Sequence, residues 1–317
     1  MIARELIAVP PFAEEVETGL TSVPKTLPCK LFYDSNGSEL FEQITRLPEY
    51  YPTRVELAIL RDHAAEMAHV IGPGFTVVEL GSGTAEKTLT LLQALSRRQI
   101  RVNFFPVDIS PAALAQARER VESQCTHVSV RPVVADFSEG FAFLRDIPGR
   151  KLVLYLGSSI GNFNPPEAIA MLSQIRAQLA PGDALLLGTD LVKRKDLLVA
   201  AYNDSQGVTE QFNKNILRRI NRELGADFKL DSFQHIAEWN PVASRMEIFL
   251  KSLRAQTARI GLLNLQVRFA RGERIHTENS YKYTLSMVND MLEPAGFRLE
   301  CTWFDACKWF ALHLARV

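Results

Sequence analysis

The stretch Val77-Val78-Glu79-Leu80-Gly81-Ser82-Gly83-Thr84-Ala85-Glu86-Lys87 decides the fold of this chain. Its first half is a short apolar run, the pattern of a buried strand, and its second half opens an amphipathic stretch over about 85–97. Two glycines stand at the turn, where the backbone can bend tightly and approach a ligand without hindrance from Cβ, and the helix start offers free N–H groups. A dinucleotide turn of the GxGxxG type needs a third glycine where this chain has Glu86, so pyrophosphate binding is disfavoured. Outward from this turn the same texture repeats. Apolar runs at 76–80, 102–107, 128–135, 152–156 and 184–187 alternate with helical patterns at about 85–97, 111–123, 138–146 and 165–180. Such alternation predicts a parallel, doubly wound α/β sheet.

The alternation breaks at Asp190 and resumes near Tyr281. The block between holds one helical stretch near 195–224 and alternating runs at 246–250 and 258–267. The chain then reads helix (282–293), Pro294-Ala295-Gly296, strand (297–304), turn, strand (308–314). A terminal hairpin on a parallel sheet predicts seven strands ending antiparallel, the form of methyltransferase-type sheets, whereas a six-strand dinucleotide sheet ends on a parallel strand. Residues 1–60 carry Pro10, Pro11, Pro24, Pro28, Pro48 and Pro52 and are expected to form an arm packed on the inserted block. The expected division is therefore an arm at 1–60, a sheet domain at 61–190 and 281–317, and an inserted α+β domain at 191–280.

Composition narrows the function. Thirty-six basic and 36 acidic residues cancel, so no net field draws the chain to nucleic acid or to an anionic membrane, and a small-molecule partner is expected. No apolar run reaches membrane-spanning length, and the N-terminal residues lack the pattern of a signal peptide, so a cytoplasmic location and a monomer are expected. The four cysteines and six histidines form no metal-ligand spacing; no metal site and reduced thiols are expected.

Acids at successive strand ends carry the chemistry. Asp108 ends the second strand, where a carboxylate can accept both hydroxyls of a ribose. Asp136-Phe137 ends the third, where an acid can accept an adenine amino group and an aromatic can lie against the ring. With Gly81 they outline a nucleoside cleft. An acid before GxG is the arrangement used for S-adenosylmethionine, and Lys87, just inside the helix, could meet the carboxylate of its methionine moiety. Gly157-Ser158-Ser159-Ile160-Gly161-Asn162-Phe163 follows the fourth strand, where the acceptor should lie. Small residues there leave room for the transferring methyl, and Asn162 offers both a donor and an acceptor.

Five segments carry a resemblance: LPCKLFYDSNGSELFEQITRLPEYYPTRVELAIL (27–60), ELGSGTAEKT, YLGSSIGNF (155–163), AYNDSQGVTEQFNKNILRRINREL (201–224) and IHTENSYKY (275–283). Nearly end to end, the chain resembles the histidine-specific Nα-methyltransferases of ergothioneine biosynthesis. The resemblance implies a Rossmann-like class I methyltransferase sheet that binds S-adenosylmethionine, with the insert and the arm closing over histidine, and three methylations of its α-amine to give hercynine. It implies that Tyr33, Gly81, Lys87, Asp108, Asp136 and Phe137 address the cofactor. It also implies that Asn162 and Tyr202 hold the substrate carboxylate, and that Tyr50 and the segment Glu278-Asn279-Ser280 meet the substrate, chiefly its imidazole. A carboxylate such as Glu278 accepts an imidazole N–H and penalises a purely apolar side chain by being left unpaired. With no dedicated base in these positions, catalysis is expected to rest on proximity and orientation. The ring face of Tyr33 is expected to steady the quaternary product, and Gly157 and Gly161 to leave space for it. One position departs from the family: Ile248 stands where methionine is common beside the substrate ring, which keeps tryptophan or a derivative as the alternative acceptor. A nicotinamide oxidoreductase and a non-catalytic cofactor-binding protein are the rivals from other classes.

Overall fold

The computed structural model describes residues 11–317, which divide into two compact units. One, the sheet unit, comprises Pro52–Lys193 with Tyr281–Val317. The other, the arm-and-insert unit, joins the N-terminal segment through Tyr51 to Arg194–Ser280. The first ten residues of the expected arm lie outside the described residues. No described helix is long and apolar enough to cross a membrane.

The sheet unit is built on strands in the order Arg298–Phe304, Phe310–Arg316, Ala184–Asp190, Arg150–Tyr155, Phe75–Leu80, Val102–Asp108, Val128–Val130. The five at the Val128 end run parallel, and Phe310–Arg316 and Arg298–Phe304 close the sheet antiparallel, as the terminal hairpin pattern predicts. All six residues of Phe75–Leu80 and all seven of Ala184–Asp190 are buried, which is why these strands read as continuous apolar runs. The run expected as one strand over 128–135 is interrupted. Pro132 has no N–H for the ladder, so pairing to Val102–Asp108 stops at Val130 and resumes as the separate piece Val133–Val134. The helix expected over 138–146 is two short 3₁₀ turns, Phe137–Glu139 and Ala142–Asp146, broken at Gly140 with φ +91°.

In the arm-and-insert unit, Phe233–Asn240, Arg245–Ser252 and Arg274–Tyr281 form a sheet with the short Lys25–Thr26, separate from the first sheet. The run expected at 258–267 is a hairpin, Gln256–Ile260 with Leu265–Phe269. The helical stretch expected over 195–224 divides into Lys195–Tyr202 and Val208–Leu224. Asp204 causes the break: its carboxylate accepts from the N–H groups of Gln206, Val208 and Thr209 and so caps the second helix. That helix buries Phe212, Ile216, Leu217, Ile220 and Leu224 on one stripe, at about 1.5–3 kcal/mol for each large apolar side chain. Val16, Leu20, Leu27 and Phe32 of the arm enter the same core. The arm was expected to reach residue 60. The division falls instead at Tyr51, because Tyr51–Ile71 is one helix whose Ile59, Leu60, Met67 and Ala68 pack in the core of the sheet unit.

Candidate active site

The turn after Phe75–Leu80 is held open by backbone geometry. Gly81 and Gly83 have φ of +68° and +49°, and a Cβ at Gly83 would meet nothing within 4 Å. Gly83 N–H donates to Asp108 Oδ2 at 2.9 Å, and Ser110 N–H donates to Oδ1 at 2.9 Å. The carboxylate is thus locked beside the glycine turn with one further lone pair on each oxygen, the valence a pair of ribose hydroxyls requires. Ser82 Oγ is buried in the same turn with no hydrogen-bond partner among the described residues, so the turn retains polar capacity that the chain itself does not use. Phe137 stands close to this turn, 3.9 Å from where a Cβ on Gly81 would be, and its ring stacks on Phe141 at 5.6 Å. Asp136 is exposed beside it. These residues fit an adenosine and its amino-acid tail.

Glu79, at the end of the strand, is buried. Its Oε1 accepts from the Thr88 hydroxyl at 2.5 Å and its Oε2 has no partner among the described residues. Burial pushes its pKa up to about 7, against the opposing pull of Thr88 and Lys87. Lys87, expected to reach for a cofactor carboxylate, is ion-paired with Glu56, a residue that sequence reading passed over. Glu56 is fully buried on the helix Tyr51–Ile71, and its Oε1 accepts from the backbone N–H of Gly157 at 2.7 Å. One carboxylate therefore joins the helix after the first glycine turn to the turn after Arg150–Tyr155. It also explains Gly188, where a Cβ would lie 2.5 Å from Glu56 Oε1. An acid in the first turns of an amphipathic helix reads as a solvated residue, so no local pattern marked it.

Asn162 closes the 3₁₀ turn Ser159–Asn162 and is half-buried. Gly161, just before it, packs against the backbone of Tyr281, where a Cβ would lie 3.0 Å from the carbonyl oxygen. The sheet unit thus gathers Gly81, Lys87, Asp108, Asp136, Phe137, Gly157 and Asn162 at or just beyond the carboxyl ends of its strands.

The remaining sequence-predicted residues fall in the arm-and-insert unit. The Tyr202 hydroxyl and Ser280 Oγ share a hydrogen bond of 2.7 Å, both buried. Tyr50 sets its ring edge-on to Tyr202 at 6.4 Å and to Phe41 at 6.2 Å, and Tyr33 lies edge-on to Phe41 and Phe212. Tyr33, matched to the cofactor by resemblance, is thus grouped here with the substrate residues. Its hydroxyl pKa is pushed up, first by burial and next by the charge of Glu278, with Cys29, Tyr50 and Tyr202 adding to it. Part of the Tyr33 side chain nevertheless reaches the surface, 42% of it being exposed. Cys29 responds in the same sense, its thiol driven up to about 12 by burial and then by Glu278. Asn279 is buried, with its Oδ1 2.9 Å from His276 Nε2. Arg274, on the same strand as Glu278, pairs with Glu238 at 2.7 Å. Ile248 is buried on the strand Arg245–Ser252. The described residues contain no cluster of His, Cys, Asp and Glu suited to a metal ion.

A parallel sheet closed by an antiparallel hairpin, with glycine and acid turns at successive strand ends, defines a Rossmann-like class I methyltransferase dependent on S-adenosylmethionine. The chain belongs to the family of histidine-specific, S-adenosylmethionine-dependent methyltransferases, whose model matches residues 12–317. It is 46% identical over 301 residues to the histidine N-alpha-methyltransferase of Mycolicibacterium smegmatis, covering 95% of this chain and 93% of that one. It is 33% identical to ergothioneine biosynthesis protein 1 of Neurospora crassa, over 92% of this chain and 33% of that longer protein. A 4-dimethylallyltryptophan N-methyltransferase of Trichophyton verrucosum is 30% identical over 92% of this chain and 88% of its own length.

Proposed function

We propose that the enzyme methylates the α-amine of L-histidine three times, giving Nα,Nα,Nα-trimethyl-L-histidine (hercynine), the first step of ergothioneine biosynthesis. The observation that carries this reading is the Tyr202–Ser280 hydrogen bond on the strand that also bears Glu278, beside an aromatic group of Tyr33, Phe41 and Tyr50. The 46% identity to a histidine N-alpha-methyltransferase supports it. S-adenosylmethionine, when bound, supplies an electrophilic methyl on a sulfonium. Gly81, Asp108, Asp136 and Phe137 hold its nucleoside, and Lys87, kept in place by Glu56, addresses its carboxylate.

Asn162 and Tyr202 grip the carboxylate common to all amino acids, Glu278, Ser280 and Tyr50 recognise the imidazole, and Asn279 lies between Glu278 and Ser280 in the segment assigned to the substrate. Only a neutral amine has a lone pair to attack, and no strong base stands among these residues. Their contribution is therefore to orient the amine and let water carry its proton away. Gly157 leaves room for the growing ammonium, and the Tyr33 ring offers it a π face.

Ile248 favours a second reading, in which a larger ring such as that of tryptophan is the acceptor, and the identity to a dimethylallyltryptophan enzyme keeps company with it. Initial rates with histidine, tryptophan and phenylalanine at saturating S-adenosylmethionine decide between the two. Histidine is expected to be preferred; a preference for tryptophan overturns the histidine assignment and leaves the methyltransferase intact.

A further inference from the structure

Behind Tyr202 runs a buried chain of hydrogen bonds that none of the roles above uses. His235 Nε2 lies 2.8 Å from the backbone oxygen of Tyr202, and its Nδ1 lies 2.8 Å from Asn213 Nδ2. Asn213 Nδ2 also donates to the Phe249 carbonyl at 3.1 Å, and Asn213 Oδ1 accepts from the Thr277 hydroxyl at 2.8 Å. The Ile248 carbonyl stands 3.1 Å from that hydroxyl as its alternative acceptor. All three side chains are buried, Asn213 and Thr277 to within 1%.

The chemistry of the partners leaves one assignment. A carbonyl oxygen only accepts, so His235 carries its proton on Nε2, and Nδ1 must accept from the Asn213 amide. The amide is then oriented with its oxygen toward Thr277. This single chain touches the helix end that carries Tyr202, the strand that carries Ile248, and the strand on which Glu278 and Ser280 follow Thr277. It therefore fixes the mutual register of every element to which a substrate contact in this unit, other than those of Tyr33 and Tyr50, has been assigned.

We propose that His235, with Asn213 and Thr277, is a positioning residue of the amino-acid site, acting through the Tyr202 backbone to aim the Tyr202 hydroxyl and Ser280 at the substrate. This rests on the reading that Tyr202 binds the amino acid. The relay works only with a neutral imidazole, because a proton on Nδ1 would face the Asn213 N–H. Burial holds the His235 pKa below its usual value, which keeps the ring neutral near pH 7. The charges that reach it are Glu210 and Asp204, which favour protonation, and Lys214, which opposes it. On the neighbouring strand Leu250 is paired opposite His235, and Glu247 and Lys251 alternate onto the other face.

The test compares His235→Leu, His235→Gln, Thr277→Val and Tyr202→Phe by their KM for histidine and their Kd for S-adenosylhomocysteine. His235→Leu removes the imidazole's hydrogen bond to the Tyr202 carbonyl and should raise KM about tenfold or more, with Kd unchanged. His235→Gln, whose amide N–H can reach the position of Nε2, should stay within about threefold of wild type. It should also lose the part of the rise in KM on acidification that the imidazole causes; contributions from substrate ionisation persist in both proteins. Thr277→Val preserves shape and should raise KM about threefold, which keeps the test decisive if His235→Leu does not fold. Parallel changes in KM and Kd, an unchanged KM in His235→Leu or Thr277→Val, or a glutamine variant as impaired as the leucine one would overturn the proposal. If Tyr202→Phe leaves KM unchanged, the assignment of Tyr202 itself falls and the inference with it. If Tyr202→Phe raises KM and the His235 and Thr277 variants do not, only the inference falls.

Discussion

The two units assemble their candidate site residues in different ways. In the sheet unit, Gly81, Asp108, Asp136 and Gly157 each follow or end a strand of one parallel sheet, so chain connectivity alone delivers them to one edge. In the arm-and-insert unit, Tyr33, Tyr50, Tyr202 and Glu278 come from a loop, a helix approach, a helix end and a strand, and are gathered by the packing of Phe32, Phe41 and Phe212 and by buried hydrogen bonds. The lesson concerns how binding sites are encoded. A site on the rim of a parallel sheet is specified by local strand-turn-helix grammar, whereas a site assembled from distant segments is specified by contacts between residues far apart in the chain, as for Tyr33 and Phe212.

The largest effect that could break this contrast belongs to the long-range contact of Glu56 in the sheet unit. Lys87→Ala leaves Glu56 buried without its counter-ion and should lower stability in urea by about 3 kcal/mol, the low end for a buried pair because Lys87 keeps 26% of its side chain exposed. Adding Glu56→Gln should return most of that loss; if it returns none, the pair is not what holds the two turns. Next comes Glu278→Ala, expected to lower kcat/KM for histidine by roughly 1.5–3 kcal/mol while binding of S-adenosylhomocysteine stays the same. Equal losses for histidine, tryptophan and phenylalanine would remove Glu278 from the specificity role.

Asp108→Ala should do the reverse, weakening S-adenosylhomocysteine by about 1–3 kcal/mol in a calorimetric titration, since the Gly83 and Ser110 N–H groups lose their acceptor and so, on the proposed reading, do the two cofactor hydroxyls. An unchanged affinity would detach the ribose from this strand end.

The smallest effect is a pair of opposing pH slopes within the sheet unit. His313 is buried between Thr189 at 2.8 Å and Thr302 at 3.0 Å, and burial lowers its pKa to about 4 from 6.5. The unfolded chain then binds the extra proton between those values, so stability falls as pH drops from 6.5 toward 4, by at most about 1.4 kcal/mol per pH unit. Glu79 has the opposite sign. Its pKa is raised to about 7 from 4.5, so its contribution is full below 4.5 and is lost as pH rises toward 7. In the shared window from 4.5 to 6.5 the two slopes oppose each other. Glu79→Gln should unmask acid sensitivity there, and His313→Gln should leave stability that declines with rising pH. Denaturation midpoints at pH 4.5, 5.5 and 6.5 check both, and unaltered profiles would show that neither group is perturbed in the folded protein.

The sheet and its terminal hairpin were legible because buried parallel strands must be apolar throughout and their turns must hold glycine or a capping acid. Where the reading failed, a local feature overruled periodicity: Pro132 in the third strand, Gly140 in the helix expected over 138–146, and the Asp204 cap that divides 195–224. Of the candidate site, the turn residues at Gly81, Asp108 and Asp136 stood out by position, while Tyr33, Tyr50, Tyr202 and Glu278 were recognisable only through resemblance to a family. As isolated letters they are ordinary aromatics and a surface acid. Glu56, His235 and Asn213 left no signal at all, because what distinguishes them is a partner.

The sequence by itself determined the order of strands and helices, the parallel sheet with its hairpin ending, and the chemistry offered at each strand end. Those follow from side-chain periodicity and from backbone conformations that only certain residues adopt. Tertiary structure alone decided that Glu56 neutralises Lys87, that Asp190 lies buried between Lys193 and Lys282, and that His235 must keep its proton on Nε2. The physical reason is that a buried polar group has no solvent to fall back on. Its charge, tautomer and pKa are then set by the neighbours that folding brings within about 3 Å, a distance no linear spacing encodes.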